Sequence, residues 1–355
     1  MHRKCVTLIG MTKKRLIILL CTALLLPSCG YILETDLLTF GPTYTDWWDE
    51  AWGARRQLTF DNSAQAEDFV DFPVLVLLDS SRIDYSKTQN SGQDIRFVDQ
   101  DDTVLSHEIE LWDEGGESWV WVKVTQIDGS SNTDYIWMYY GNATASDGQD
   151  AANVWDSNYI GVWHLSESSG TLYDSTVNGN NGTPQGTPIL ISGGAVDGAQ
   201  DFDAGSDRVN IAINLGATVT ISTWAKLDTQ DDMLWCINNS GGPDLWFTGG
   251  NIYLNTWDGF GNPFCPQPAS VNLWHQYTAV INVTNTILYI DGQLGGTANY
   301  RNPASTIIYI GSSSTTYTWD GSVDEFRISD ITRSADWVNA QYLSMSDSFI
   351  SFGIE

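Results

Sequence analysis

Basic residues are the chain's main shortage: 16 Lys and Arg stand against 44 Asp and Glu in 355 residues, a formal net charge of −28. That balance excludes nucleic acid as a partner, because phosphates demand a basic footprint. It favours solubility and divalent cations instead. Histidine is rarer still, at four residues, and cysteine numbers five. His164 and His275 fall in strand patterns with no Cys or acidic partner beside them in sequence, and no Gly-rich phosphate loop appears. The sequence therefore displays no active site, and the expectation is a protein that is not an enzyme. Helical periodicity is missing between Trp47 and Asp156, so that half is expected to be all-β.

The chain opens on Arg3, Lys4, Lys13, Lys14 and Arg15, followed by an apolar run of eleven residues, Leu16 to Leu26. That run is too short to span a bilayer as a helix but suits the core of a secretory signal. Either Met1 or Met11 could initiate it. Leu26-Pro27-Ser28-Cys29-Gly30 resembles a bacterial lipobox, which implies a signal peptide over 1–28 and lipidation of Cys29. The expected address is the cell envelope, as an outer-membrane or surface lipoprotein, with free secretion as the alternative. No acidic residue and five basic ones precede Cys29, so the processed chain would carry 44 acidic against 11 basic residues, a net −33. Cys5 and Cys21 would leave with the signal; Cys236 and Cys265 remain, to form one disulfide or stay as two buried thiols.

Residues 29–46 read as a polar spacer, and 47–156 as a first β-sandwich domain. Its strand patterns include Arg55 to Phe60, Phe72 to Leu78, His107 to Trp112, Ser118 to Val124 and Asp134 to Tyr140, with turn clusters such as Asp113 to Gly116 between them. A second β domain covers 157–355, with strands at Arg208 to Ile211, Val219 to Lys226, His275 to Ile281 and Thr286 to Ile290. Asp291-Gly292 is a hairpin signature. Ser334 is placed to cap a short helix from Ala335 to Leu343.

The first domain resembles a bacterial domain of unknown function found directly before lectin-like jelly rolls. Trp48, Trp52, Arg55-Arg56, Asp94 to Phe97, Glu108 to Asp113, Trp121 to Val124 and Tyr140 to Asn142 carry that likeness. Val162 to Leu165, Asp174 to Gly182, Ile221 to Trp224, Leu288 to Gly292 and Gly321 to Ile328 resemble a laminin-G-like, concanavalin A-like jelly roll over 159–355. The resemblance implies two facing antiparallel sheets, a structural Ca²⁺ in many members, and binding of glycan or of a surface protein.

On that reading Asp174 and Asn178, in an Asn/Gly-rich loop, and Asp324, in a late strand, are the candidate metal ligands. Strict alternation lets only one of Asp324 and Glu325 face a given site, and Asp324 is favoured with Glu325 as the alternative. A flat aromatic beside Asp or Asn suits sugar recognition, so Trp257, Asp258, Trp319 and Asp320 are the candidate ligand contacts. Trp163, Trp224 and Trp274 sit in strand patterns and are expected in the core. Glu108 and Glu110 share a strand face, as glycoside hydrolysis would need. They depart from the Glu-x-Asp-x-x-Glu signature of jelly-roll laminarinases and lie in the other domain. A glycoside hydrolase therefore ranks third, behind a carbohydrate-binding or adhesive module and a structural, protein-binding surface protein.

Overall fold

The computed structural model describes residues 47–203, 205, 207–229, 232–237, 243–254, 270–311 and 318–355, and it is all-β with antiparallel sheets. The described residues from Trp48 onward form one compact unit.

In the first domain, strands Ile350–Phe352, Ala54–Phe60, Tyr135–Tyr140, Arg96–Val98 and Val104–Leu105 lie side by side in that order. A second sheet holds Phe69–Leu78, Ser118–Ile127 and His107–Leu111. Leu58, Phe60, Val74, Val76, Val120, Val122, Ile136 and Met138 from these strands share one buried core. The outermost strand of the first sheet comes from the extreme C-terminus: Leu58 pairs with Phe352 and Phe60 with Ile350.

The second domain packs an eight-stranded sheet against a six-stranded one. Strand Arg208–Leu215 shows why the register holds. Val209, Ile211, Ile213 and Leu215 are buried, while Ala212 and Asn214 are exposed. A one-residue slip would turn all four apolar side chains outward, at roughly 1.5–3 kcal/mol each. Ile221, Val323, Phe326 and Ile328 of the larger sheet meet Val209, Ile211, Phe247 and Ile308 of the smaller in the same core. Trp163 joins this core, whereas Trp224 packs in the first domain's cluster and Trp274 beside it.

The expected hairpin is present: Asp291 (φ 50°) and Gly292 (φ 71°) both adopt the left-handed conformation that a type I′ turn demands. The expected helix is present too, running Ala335–Met345, with Ser334 Oγ accepting from the Trp337 N–H at 3.0 Å. It covers the edge strand Phe69–Leu78. Pro73, which has no N–H to offer, sits on this edge, and the Leu75 N–H donates to Ser344 Oγ of the helix at 2.8 Å. Trp337 meets Phe72 edge-on with ring centroids 4.7 Å apart. Helix and terminal strand thus follow the second domain in sequence but pack on the first.

The strand pairing is irregular at several places, and the irregularity in strand Asp320–Ser329 is the one that builds the site. In strand Asp320–Ser329, Ser222 pairs with Arg327 and Trp224 with Asp324, so two residues, Glu325 and Phe326, oppose Thr223 alone. This is a β-bulge, with Glu325 at φ 52°. It turns Asp324 and Glu325 to the same side and restores Phe326 and Ile328 to the jelly-roll core. The expectation that only one of the two acids can serve a site is corrected: both are buried, and they interact electrostatically with each other and with His164.

Candidate functional site

The bulge delivers Glu325 to a buried polar cluster on the seam between the domains. Glu108 and Glu110 project from strand His107–Leu111 of the first domain, and His164 follows strand Tyr159–Trp163 of the second. His164 Nδ1 lies 2.6 Å from Glu325 Oε1 and 3.3 Å from Glu110 Oε2; its Nε2 lies 3.4 Å from Glu108 Oε2. The two strand acids do share a face, as expected, and it lies against His164, with the Glu108 side chain 13% exposed. The Glu110 side chain is 1% exposed and that of Glu325 0%.

Each acid is held from behind. Trp121 Nε1–H donates to Glu110 Oε2 at 2.7 Å, and Ser175 Oγ–H to Glu108 Oε1 at 2.9 Å. Trp155 Nε1–H lies 3.3 Å from Glu108 Oε2. Arg327 pairs with Glu325, with Nε 3.1 Å from Oε2, and stacks its guanidinium over Trp121 and Trp155 at 4.2 and 4.9 Å from their ring centroids. Asp324 Oδ2 accepts the Ala195 and Val196 N–H groups at 2.7 and 3.0 Å, while its Oδ1 has no partner. Glu110 Oε1 also lacks one.

Burial pulls these groups apart electrostatically. Desolvation alone would lower His164, but Glu110, Glu325 and Glu108 together hold it well above the usual imidazole range. Desolvation would raise Glu325, yet His164 and Arg327 bring it down to about 2. Glu110 and Asp324 receive less compensation, and burial followed by repulsion from Glu325 pushes both well up.

A second feature opens on the jelly roll itself. Ser270, His275, Asp291 and Gln293 line a cavity of about 310 Å³ with Tyr277 and Ile290 among its apolar walls. His275 Nδ1 is 2.7 Å from Asp291 Oδ2, and Ser270 Oγ is 2.5 Å from His275 Nε2. The other Asp291 oxygen accepts the Gln276 N–H at 2.9 Å. Both site histidines therefore have carboxylate partners that sequence neighbours did not show. Asp291 sits 16 residues from His275, and Glu325 sits 161 from His164. Asp291 reaches His275 because strand Asn285–Ile290 pairs with Trp274–Ile281, with Ile290 opposite Tyr277.

The other expected site residues are dispersed. Trp257, Asp258, Cys265 and Cys29 lie outside the described residues. Cys236 is buried in strand Asp232–Ile237. Trp319 is 0% exposed and packs 5.5 Å from Phe247 in the core, so its ring has no face to offer a sugar. Asp320 starts the late strand and accepts from Thr229 Oγ1 at 3.0 Å. Asp174 staples its own loop: its carboxylate accepts the N–H groups of Val162, Thr176 and Asn180 and the Thr176 hydroxyl, all within 3.0 Å. Asn178 Nδ2 donates to Tyr159 O at 3.1 Å. Among the described residues, three His or acidic ligands converge at Glu110, His164 and Glu325, a set containing neither Asp174 nor Asp324.

Comparison with known proteins agrees with this architecture. Residues 91–180 match a domain of unknown function, DUF2341, and residues 203–339 match the concanavalin A-like lectin/glucanases superfamily. The chain thus carries a stretch that matches DUF2341 followed by one that matches the concanavalin A-like superfamily. No curated protein matches it. Among solved structures it is similar to domain 4 of AbnA, a GH43 extracellular arabinanase from Geobacillus stearothermophilus solved with arabinotriose. The identity is 14% and the TM-score 0.42, over 52% of this chain and 98% of that one. The binding domain of Paraclostridial Mosquitocidal Protein 1 gives 16% and 0.42, over 53% and 52% of the two chains. The receptor-binding domain of botulinum neurotoxin C/D mosaic serotype gives 14% and 0.40, over 52% and 51%. This chain spans about half the length of those two toxin domains.

Proposed function

We propose that the jelly roll is a glycan-binding module of an exported surface protein, and that it holds its ligand without cleaving it. The observation that carries this reading is the polar-rimmed cavity around His275 and Asp291, set in a domain of the concanavalin A-like lectin/glucanase superfamily. Its volume falls at the low end of ligand pockets, where a few convergent polar groups fix orientation against apolar walls. Glycosidic cleavage needs two carboxyl groups flanking the bond. The described lining supplies one, Asp291, and the pair Glu108 and Glu110 lies against His164. The basic start and the lipobox around Cys29 support export and lipid anchorage. Binding of a surface protein through the same domain is the alternative partner class.

A glycan array followed by titration calorimetry tests this reading. His275→Ala and Asp291→Asn should each weaken binding at least tenfold while leaving the melting temperature nearly unchanged. Affinity untouched by both would move the site elsewhere, and Trp257→Ala would then examine residues 255–269. The hydrogen-bonded order Ser270, His275, Asp291 favours a second reading, since it is the order of an acyl-transfer nucleophile, its base and the acid that orients it. Labelling by a fluorophosphonate, lost in Ser270→Ala, would establish that reading; no labelling leaves the binding module.

A further inference from the structure

The seam cluster buries four acids beside two basic side chains. Glu108, Glu110, Asp324 and Glu325 face His164 and Arg327, and two carboxylate oxygens there, Glu110 Oε1 and Asp324 Oδ1, are buried without a partner. A buried carboxyl oxygen left without a partner is costly. A divalent cation held at Glu110 would give that side chain the partner it lacks.

The geometry distinguishes inner from outer groups. His164 Nδ1, one Glu110 oxygen and one Glu325 oxygen lie within 4.8 Å of one another, Glu110 and Glu325 on two strands and His164 just after a third. On its far side the imidazole Nε2, which has no hydrogen-bond partner, stands 3.4 Å from Glu108 Oε2. Glu108 is itself held by Ser175 and Trp155. Metal-bound histidine commonly donates its other N–H to a carboxylate that fixes ring and tautomer. Trp121 on Glu110 and Arg327 on Glu325 do the same service for the carboxylates.

We propose that Glu110, His164 and Glu325 bind one divalent first-row transition ion, Zn²⁺ or Mn²⁺, with Glu108 as the positioning residue for the imidazole. An imidazole beside carboxylates suits such ions. Calcium takes six to eight oxygens and is disfavoured by a nitrogen donor in so tight a set. The ion would tie the strand carrying Glu110 to the strand carrying Glu325 and to His164. It is therefore a structural strap across the domain seam, separate from the cavity at His275.

The test uses the processed chain purified without chelators. Elemental analysis should find close to one Zn or Mn per chain. Stripping with dipicolinate should lower the melting temperature by several degrees, and Zn²⁺ or Mn²⁺, but not Ca²⁺, should restore it. Glu110→Gln and His164→Gln should each abolish retention, while Glu108→Gln should weaken affinity 10- to 100-fold. Metal-free protein whose melting is indifferent to both added ions overturns the proposal, as does a thermal shift produced by Ca²⁺ alone. So does metal held equally well by Glu110→Gln. Should a variant fail to fold, strip-and-restore on the unaltered chain still decides.

Discussion

His107 is a clear case of burial acting on a single titratable group. It is 0% exposed beside Phe97, and burial followed by repulsion from Arg96 lowers its pKa from 6.5 to about 4. Below pH 6.5 the unfolded chain takes up a proton that the folded chain refuses, so stability falls as pH drops from 6.5 towards 4. Each unit costs about 1.4 kcal/mol, or roughly 3 kcal/mol over the window. Urea midpoints at pH 7 and pH 4.5 should therefore differ more for the natural chain than for His107→Leu; equal slopes would contradict the shift. Gly194 is as demanding sterically. A Cβ there would stand 2.5 Å from Gly198 O and 2.6 Å from Asp324 Oδ2. Gly194→Ala should cost about 1–3 kcal/mol by overpacking, read as a lower melting temperature, because the backbone carrying Ala195 and Val196 is what satisfies Asp324.

At the scale of elements, the helix Ala335–Met345 matters less for its own stability than for the strand edge it closes. The Leu75 N–H is buried and Ser344 Oγ accepts it, so Ser344→Ala leaves a donor unsatisfied, at about 1–3 kcal/mol. Ser344→Thr keeps the oxygen and should lose less, a difference that denaturant midpoints resolve. The bulged strand Asp320–Ser329 is the other decisive element. Regular pairing would place either Asp324 or Glu325 with the core residues; the extra residue sends both to the seam and keeps Val323, Phe326 and Ile328 inside.

For the whole molecule, the described residues behave as one body although two family models meet in it. Arg333 pairs with Asp156 at 2.6 Å, Arg82 with Asp347 at 2.6 Å, and Trp224 of the jelly roll stacks on Tyr342 of the helix at 5.8 Å. A calorimetric scan should accordingly show a single cooperative transition for residues 47–355. Deleting 334–355 would uncover Phe69 and Phe72 and remove the partner strand of Leu58, so that chain should melt well below the full one and bind a hydrophobic dye. Two separate transitions in the full chain would count against this coupling.

Local order was legible from residues alone because it depends on short-range periodicity. The alternation in Arg208–Leu215, the Asp291-Gly292 turn and the Ser334 cap each follow from backbone preferences within a few positions. The concanavalin A-like character of the second half was legible in the same way, as an order of strands and turns. Three things depended on tertiary structure. Trp319 looked like a loop aromatic, yet packing made it core. A bulge opposite Thr223 of the partner strand broke the alternation that separated Asp324 from Glu325. And Glu110, His164 and Glu325 meet only because two β domains close on one another, a convergence that spacing along the chain does not encode.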